Sequence, residues 1–408
     1  MIAAPPSKAH TLRGLFMSAL ADGESTIRDP LLGEDQQRAI ECLRALGVDI
    51  GVAPEAVIVH GVGGEFQPVS DELYVGESGV SMNFLTALAC LSRKPVTITG
   101  AERITERPIS EIVSGLRQLG CRIEYPARDG FPPIRVYGGG IPGGMAQMKG
   151  DLTSQYFSAV LAASPYALNP VTIRCIGPMT EKPYLAITLA MMGDFGVNVE
   201  NHDFAEFRVP NDAGYKARET RIEGDYSSAS FFFEAAAIRG NSVTVTGLNP
   251  KSPQGDRRFL SLLQQMGCDV SWSEAGVTVH GRPLRGIEAD MGDTPDLVPP
   301  LAVTAAFAQG TTRLTNIAHL RHKECDRLAV TVSELMKMGA RASCDEDSIT
   351  VEGGHPLHGA RIDPHNDHRI AMAFAVAGLA LGDQIVEDET CVAKSFPDFW
   401  ERLEAFQG

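Results

Sequence analysis

Gly224-Asp225-Tyr226-Ser227 is a small polar motif that leads into Phe231-Phe232-Phe233-Glu234-Ala235-Ala236-Ala237-Ile238. This segment is apolar nearly all round, which predicts a helix buried on every side. The arrangement occurs five more times, opening at Ser7-Lys8-Ala9-His10, Gly76-Glu77-Ser78-Gly79, Gly150-Asp151-Leu152-Thr153, Gly292-Asp293-Thr294-Pro295 and Asn366-Asp367-His368-Arg369. The steps from Gly76 to Gly150, from Gly150 to Gly224 and from Gly292 to Asn366 are each 74 residues. A fixed period of this length means one folding unit used repeatedly.

A second series interleaves with the first. Leu46-Gly47-Val48, Leu119-Gly120-Cys121, Phe195-Gly196-Val197, Met266-Gly267-Cys268 and Met338-Gly339-Ala340 each read as helix end, glycine cap, then strand. Phe406-Gln407-Gly408 stands where a sixth copy would end. The helices ahead of these glycines are amphipathic. From Arg107 to Gly120, Ile109, Ile112, Val113, Leu116 and Leu119 form one apolar stripe, and Pro108 and Pro183 sit at first-turn positions. Short β-rich runs such as Val96-Thr97-Ile98-Thr99 and Val171-Thr172-Ile173-Arg174 precede them.

Each unit therefore reads as strand, helix, strand, helix and further strand. Three units sharing buried helices make one domain, and six make two. The expected class is α/β (α+β), with a first domain at residues 8–220 and a second at 1–7 plus 221–408. The glycine-rich stretch from Tyr137 to Gly144 has no Lys-Ser or Lys-Thr after it, so it reads as an inter-strand turn and not a phosphate loop.

The 408 residues are 44% hydrophobic and 21% charged, as in an ordinary globular protein. No run reaches the ~18 apolar residues of a membrane span, and no signal peptide opens the chain. The net charge of −15 argues against nucleic acid or an anionic membrane as partner. The eight cysteines form no C-x-x-C, which reads as thiols of a reducing cytoplasm. The histidine pairs 319/322, 355/358 and 365/368 lack a clustered third ligand, so no metal is expected.

The chemistry lies at the helix openings. Lys8 and Arg13 are in the first, Arg107 and Lys182 open two second-series helices, Lys323 and Arg327 another. Arg369 and Lys394 belong to the last copies. Helix N-termini carry free N–H groups and a positive dipole end, so a cation there is not what helix stability selects. Such a set suits several anionic groups at once; ion pairing with neighbouring acids, as in Lys323-Glu324 and Asp326-Arg327, is the plainer alternative for single residues. Asp225, Asp293, Asp296 and Asp367 read by default as helix caps. Acids held among cations stay ionised and could act as bases or proton relays.

Lys323-Glu324-Cys325-Asp326-Arg327, Asn366-Asp367-His368-Arg369, Glu106-Arg107-Pro108-Ile109, Ser154-Gln155, Lys182-Pro183-Tyr184 and Ala393-Lys394-Ser395-Phe396-Pro397-Asp398 resemble the signatures of the 5-enolpyruvylshikimate-3-phosphate synthase family of enolpyruvyl transferases. The likeness runs from about Pro6 to Phe406. It implies two domains of three βαβαββ repeats each (an inverted-barrel fold), closing over substrate in a cleft between them. It also implies transfer of the enolpyruvyl group of phosphoenolpyruvate to the 5-hydroxyl of shikimate 3-phosphate, by addition and elimination, in a cytoplasmic monomer with no cofactor.

On this resemblance Lys8, Gly79, Arg107, Gln155, Arg327, Arg369 and Lys394 would hold phosphoenolpyruvate. Arg13, Thr153, Ser154, Gln155, Tyr184, Asp296 and Lys323 would hold the acceptor. Asp296 would take the hydroxyl proton, Glu324 would protonate and later deprotonate the methylene carbon, and Lys8 and Lys394 would share in catalysis. Ala9 and Glu181 stand where the family usually has serine, and His319, Glu77, Val80 and Asn83 also depart from it. A carboxylate gained and hydroxyls lost should weaken a phosphorylated acceptor. A different hydroxylated acceptor, or a catalytically weak paralogue that binds ligands, therefore stands as the alternative. The strand that usually precedes the first motif is expected to be largely missing.

Overall fold

The computed structural model describes residues 1–212 and 214–407, so Gly408 of the second series lies outside the described residues. The chain divides into two compact units, residues 8–222 and residues 1–7 with 223–408. The helices are α1 (Lys8–Leu20), α2 (Glu34–Ala45), α3 (Gly79–Ala89), α4 (Glu102–Thr105), α5 (Ser110–Gln118), α6 (Gln155–Ala163), α7 (Lys182–Asp194), α8 (Tyr226–Arg239), α9 (Arg258–Met266), α10 (Val298–Ala306), α11 (Arg327–Lys337), α12 (His368–Leu381) and α13 (Phe399–Gln407).

The buried helices are those of the first series: α1, α3 and α6 in the first unit, α8, α10 and α12 in the second. Every residue of α8 from Tyr226 to Ala237 is buried, as is every residue of α12 from His368 to Ala377. Three consecutive phenylalanines cannot share one helix face, and burying each is worth roughly 1.5–3 kcal/mol. Phe231, Phe232 and Phe233 therefore fix α8 inside its unit. There α8, α10 and α12 pack pairwise, and α3 packs on α6 in the first unit. Helices such as α5 and α9 lie outside, α5 burying Ile112, Val113 and Leu116 and α9 burying Phe259, Leu262 and Leu263.

Five four-stranded sheets share one plan. Glu72–Tyr74 runs parallel to Val96–Thr99, which pairs antiparallel with Ile134–Val136, which pairs in turn with Ile123–Glu124. With α3 and α5 between strands, the repeat is βαβαββ. The sixth copy keeps only the parallel pair Arg361–Ile362 and Ile385–Val386. None of these sheets closes into a barrel; helices fill the middle of each unit.

Two opening strands come from distant sequence. Glu219–Arg221 lies parallel to Asp22–Arg28 and completes the first repeat of the first unit. Ile2–Ala3 lies parallel to Val245 and Thr246 and completes the first repeat of the second. The leading strand expected to be missing is thus present at two residues, extended by a hydrogen bond from Ala4 N to Thr246 O.

The glycine caps have a conformational cause. Gly47, Gly120, Gly196, Gly267 and Gly339 all sit at φ between +84° and +116°, where a Cβ is strained. Two helix starts differ from the sequence pattern. α5 begins at Ser110, because a residue before proline is kept out of helical conformation, so Arg107 lies in the preceding turn. α11 begins at Arg327, because the Asp326 side chain caps it by accepting from Ala329 N, and Lys323 is extended ahead of it. The Tyr137–Gly144 stretch links Ile134–Val136 to Gly144–Lys149 as a turn. No helix among the described residues is long and apolar enough to cross a membrane.

One buried group works against stability. Glu234 on α8 is fully buried, and neither carboxyl oxygen has a hydrogen-bond partner among the described residues. Burial pushes its pKa well above the ordinary value. The folded state therefore holds a proton that the unfolded chain has released, so stability falls as pH rises above the unfolded pKa. Glu234→Met is expected to raise the melting temperature. Its advantage over the wild type should widen from pH 5 to pH 8 by at most about 1.4 kcal/mol per pH unit. Thermal unfolding across that range checks this, and an advantage independent of pH would contradict it.

Candidate active site

The openings of the buried helices meet within each unit. In the second unit Arg369, on the first turn of α12, reaches Ser227 on the first turn of α8 and pairs with Asp296, 2.8 Å away, just ahead of α10. In the first unit Asn83 of α3 donates to Gln155 Oε1 at the start of α6, at 3.1 Å. Helix N-termini that bear unsatisfied N–H groups are thereby gathered with cations beside them.

Arg327 is the centre of the second-unit cluster. Its side chain is 1% exposed. Nη1 donates to Asp296 at 2.9 Å, Nη2 to Glu324 at 2.7 Å, and Nε to Asp367 at 2.6 Å. Burial opposes its charge, but Asp367, Glu324 and Asp296 hold the guanidinium pKa well above its ordinary value. One buried cation thus aims two candidate acids and is itself aimed by a third. Asp296 bridges Arg327 and Arg369. Asp367 does cap α12, accepting from Arg369 N at 2.9 Å, and also holds Arg327. Asp225 is a plain cap, accepting from Ser228 N. Lys323 and Lys394 are buried at the ends of the 3-10 turns Ala318–His322 and Glu389–Lys394, so neither opens a helix.

In the first unit Lys8 begins α1 and pairs with the nearly buried Asp35 at 2.6 Å. Gly79 is the first residue of α3, and a Cβ there would come within 2.7–2.9 Å of the Arg107 guanidinium. Glycine at this position makes room for Arg107 over the helix opening. Arg13 is buried, donating to Thr188 Oγ1 at 2.7 Å and to the carbonyls of Ala9 and Tyr184 at 3.0 Å. Burial pulls its pKa down to about 10, opposed by Tyr184 and Glu181.

Glu181 has a definite role in this group. It is buried, left-handed at φ +57°, and precedes α7, which Lys182 opens with Pro183 in the first turn. Thr153 Oγ1 donates to its carboxylate at 2.5 Å, and Ser154 Oγ donates to its carbonyl at 2.8 Å. Glu181 thus ties together the two hydroxyls at the opening of α6.

The sequence pattern missed Asp35 and Ser227. Ser227 stood within a first-series motif and could have been picked out by the basic residue at the equivalent opening of α12. Nothing in the spacing marked Asp35.

Paired acids and cations at the openings of a sixfold α/β repeat define a protein built to bind anions and move protons beside them, as a group-transfer enzyme does. Residues 1–403 match the family model for EPSP synthase (3-phosphoshikimate 1-carboxyvinyltransferase). The chain is 46% identical over 408 residues to a 3-phosphoshikimate 1-carboxyvinyltransferase of Methanosphaerula palustris, covering 98% of this chain and 95% of that one. It is 44% identical over 403 residues to the one from Methanoculleus marisnigri, with the same coverage. Its fold superposes on EPSP synthase from Acinetobacter baumannii with a TM-score of 0.82 at 29% identity, over 99% of this chain and 94% of that one. The chain belongs to the EPSP synthase family.

Removing Arg327 would leave Asp296, Glu324 and Asp367 without their shared counter-charge. Breaking such a buried pair costs about 3–5 kcal/mol. Arg327→Ala is therefore expected to lose this much in denaturant unfolding. Arg327→Lys should lose less, because it keeps the charge but not the three-way fork.

Proposed function

We propose that this chain transfers the 1-carboxyvinyl group of phosphoenolpyruvate to the 5-hydroxyl of shikimate 3-phosphate, releasing phosphate, on the route through chorismate to aromatic amino acids. The observation that carries this reading is the Arg327 cluster. There two carboxylates lie against cations of a kind that can hold an anionic substrate. The family membership and the printed names of the relatives support it.

In this reading Lys8, Arg107, Gln155, Arg327, Arg369 and Lys394 hold phosphoenolpyruvate, with Gly79 leaving space for Arg107. Arg13, Thr153, Ser154, Gln155, Tyr184 and Lys323 hold the acceptor. Once the anionic groups of phosphoenolpyruvate engage Arg327, Glu324 loses that counter-charge and takes up a proton from solvent, which it gives to the methylene carbon of phosphoenolpyruvate. The acceptor oxygen bonds to the adjacent carbon as Asp296 takes the hydroxyl proton. The product of addition is a tetrahedral ketal. Glu324 then removes a proton from the new methyl group, the carbon–oxygen bond to phosphate breaks, and phosphate leaves with the electron pair and takes the proton held on Asp296, which restores both acids. Fixed cations around the phosphate supply the main stabilisation. The protein acts as a monomer in the cytoplasm, where its eight free thiols stay reduced.

Purified protein should release phosphate from phosphoenolpyruvate only when shikimate 3-phosphate is present; release without it, or none with it, contradicts the proposal. Asp296→Asn and Glu324→Gln should each keep substrate binding by calorimetry and lose about 10²- to 10⁴-fold in turnover, the usual worth of a general acid or base. Glu181→Gln keeps an acceptor for Thr153 but removes a like charge from the acceptor side. It should lower the KM for shikimate 3-phosphate about fivefold, in keeping with about 1 kcal/mol of like-charge repulsion, and leave the KM for phosphoenolpyruvate unchanged.

A further inference from the structure

Asn83 has no part in the reaction just described, yet it is bonded to a residue that does. It lies one turn inside α3, four residues after Gly79, and is 6% exposed. Residues four apart share a helix face, so Asn83 follows Gly79 along the face over which the Arg107 guanidinium lies. α3 packs on α6, whose first residue is Gln155. Across this contact Asn83 Nδ2 donates to Gln155 Oε1 at 3.1 Å. The Gln155 backbone N–H donates to Thr153 Oγ1 at 3.3 Å. Among the described residues the Gln155 Nε2 amino group has no acceptor.

A glutamine amide has two unlike ends. Its oxygen only accepts, and its amino group only donates. An anion can be held by the amino end alone. The last torsion of a glutamine is broad and roughly two-fold, so an untethered amide offers either end. The bond from Asn83 removes that choice: Oε1 is engaged by a donor, and Nε2 is the end left for a ligand. Fixing the amide before the ligand arrives also lowers the ordering cost of binding. Asn83 carries no charge, so it adds no attraction for an anion of its own.

We infer that Asn83 is a positioning residue, which fixes the Gln155 amide so that it offers only N–H donors to an oxygen of phosphoenolpyruvate. The inference rests on the proposed role of Gln155 in holding that substrate. Asn83 touches no substrate itself, and its effect passes through Gln155. The contact is made in the bound substrate and in the transition state alike, so loosening it raises KM and spares kcat.

The test is a double-mutant cycle of Asn83→Leu and Gln155→Ala, read as the KM for phosphoenolpyruvate at saturating shikimate 3-phosphate. Leucine is close to asparagine in shape but cannot donate. In the wild-type background Asn83→Leu should raise the KM about three- to tenfold, the usual worth of a net hydrogen bond. Its kcat should stay within about twofold of the wild type. In the Gln155→Ala background the same substitution should change neither constant. A residue that merely packs α3 on α6 acts equally in both backgrounds. Equal effects, or no effect in the wild-type background, overturn the inference. Asn83→Asp keeps the test open should leucine prevent folding. Ionised aspartate only accepts, so it turns the Gln155 amino group toward itself and leaves the amide oxygen for the anion. It should raise the KM at least about threefold more in the wild-type background than in Gln155→Ala, where its charge acts alone; equal increases overturn the inference. Failure of the proposed function looks different: the wild type then releases no phosphate. The same cycle is in that case read, by the same criteria, as calorimetric affinity for phosphoenolpyruvate with shikimate 3-phosphate present, and an absence of binding overturns both readings.

Discussion

A helix with no polar face must be buried on every side, and the rest of this protein follows from that constraint. Each repeat supplies one such helix, and three of them fill the centre of each unit. Their first-turn N–H groups have no partners within the helix, so the openings are where other polar groups must come. Where Ser227, Asp296 and Arg369 meet, the openings of α8, α10 and α12 have been drawn together by packing alone. The site is therefore a consequence of the core, placed where the buried helices begin.

Once there, the polar groups must satisfy one another away from water. Arg327 does so with three carboxylates, which hold it in place and are held by it. The same logic explains how a chain with a net charge of −15 can serve anionic substrates. Its cations at this corner are already matched by acids, so an anion exchanges with an internal partner. In the first unit the corresponding device is Glu181, which balances the buried Arg13 and gathers the hydroxyls of Thr153 and Ser154.

Most of the fold was legible in the sequence because it rests on patterns that repeat. The five cap glycines recur because each sits at positive φ, a backbone requirement independent of what surrounds it. The all-apolar helices recur because burial on every side needs only composition. The helix starts were less legible. Arg107 reads as helical by periodicity and is excluded by the proline after it, and Lys323 reads as an opening residue although Asp326 caps the helix later. Local competition of this kind is settled by one side chain, which periodicity averages away.

The sequence by itself determined the sixfold unit, its division into buried and outer helices, and which openings carry cations. These are set by residues acting on their own backbone or by the need to leave water. Only the tertiary structure decided what each acid does. Asp225, Asp296 and Asp367 share one sequence signature, yet the first caps a helix, the second bridges two arginines and the third caps a helix while holding one arginine. A carboxylate's role depends on which charges lie within a few ångströms of it, and the arginines that hold Asp296 and Asp367 lie some 30 to 70 residues away, brought close only when the helices pack.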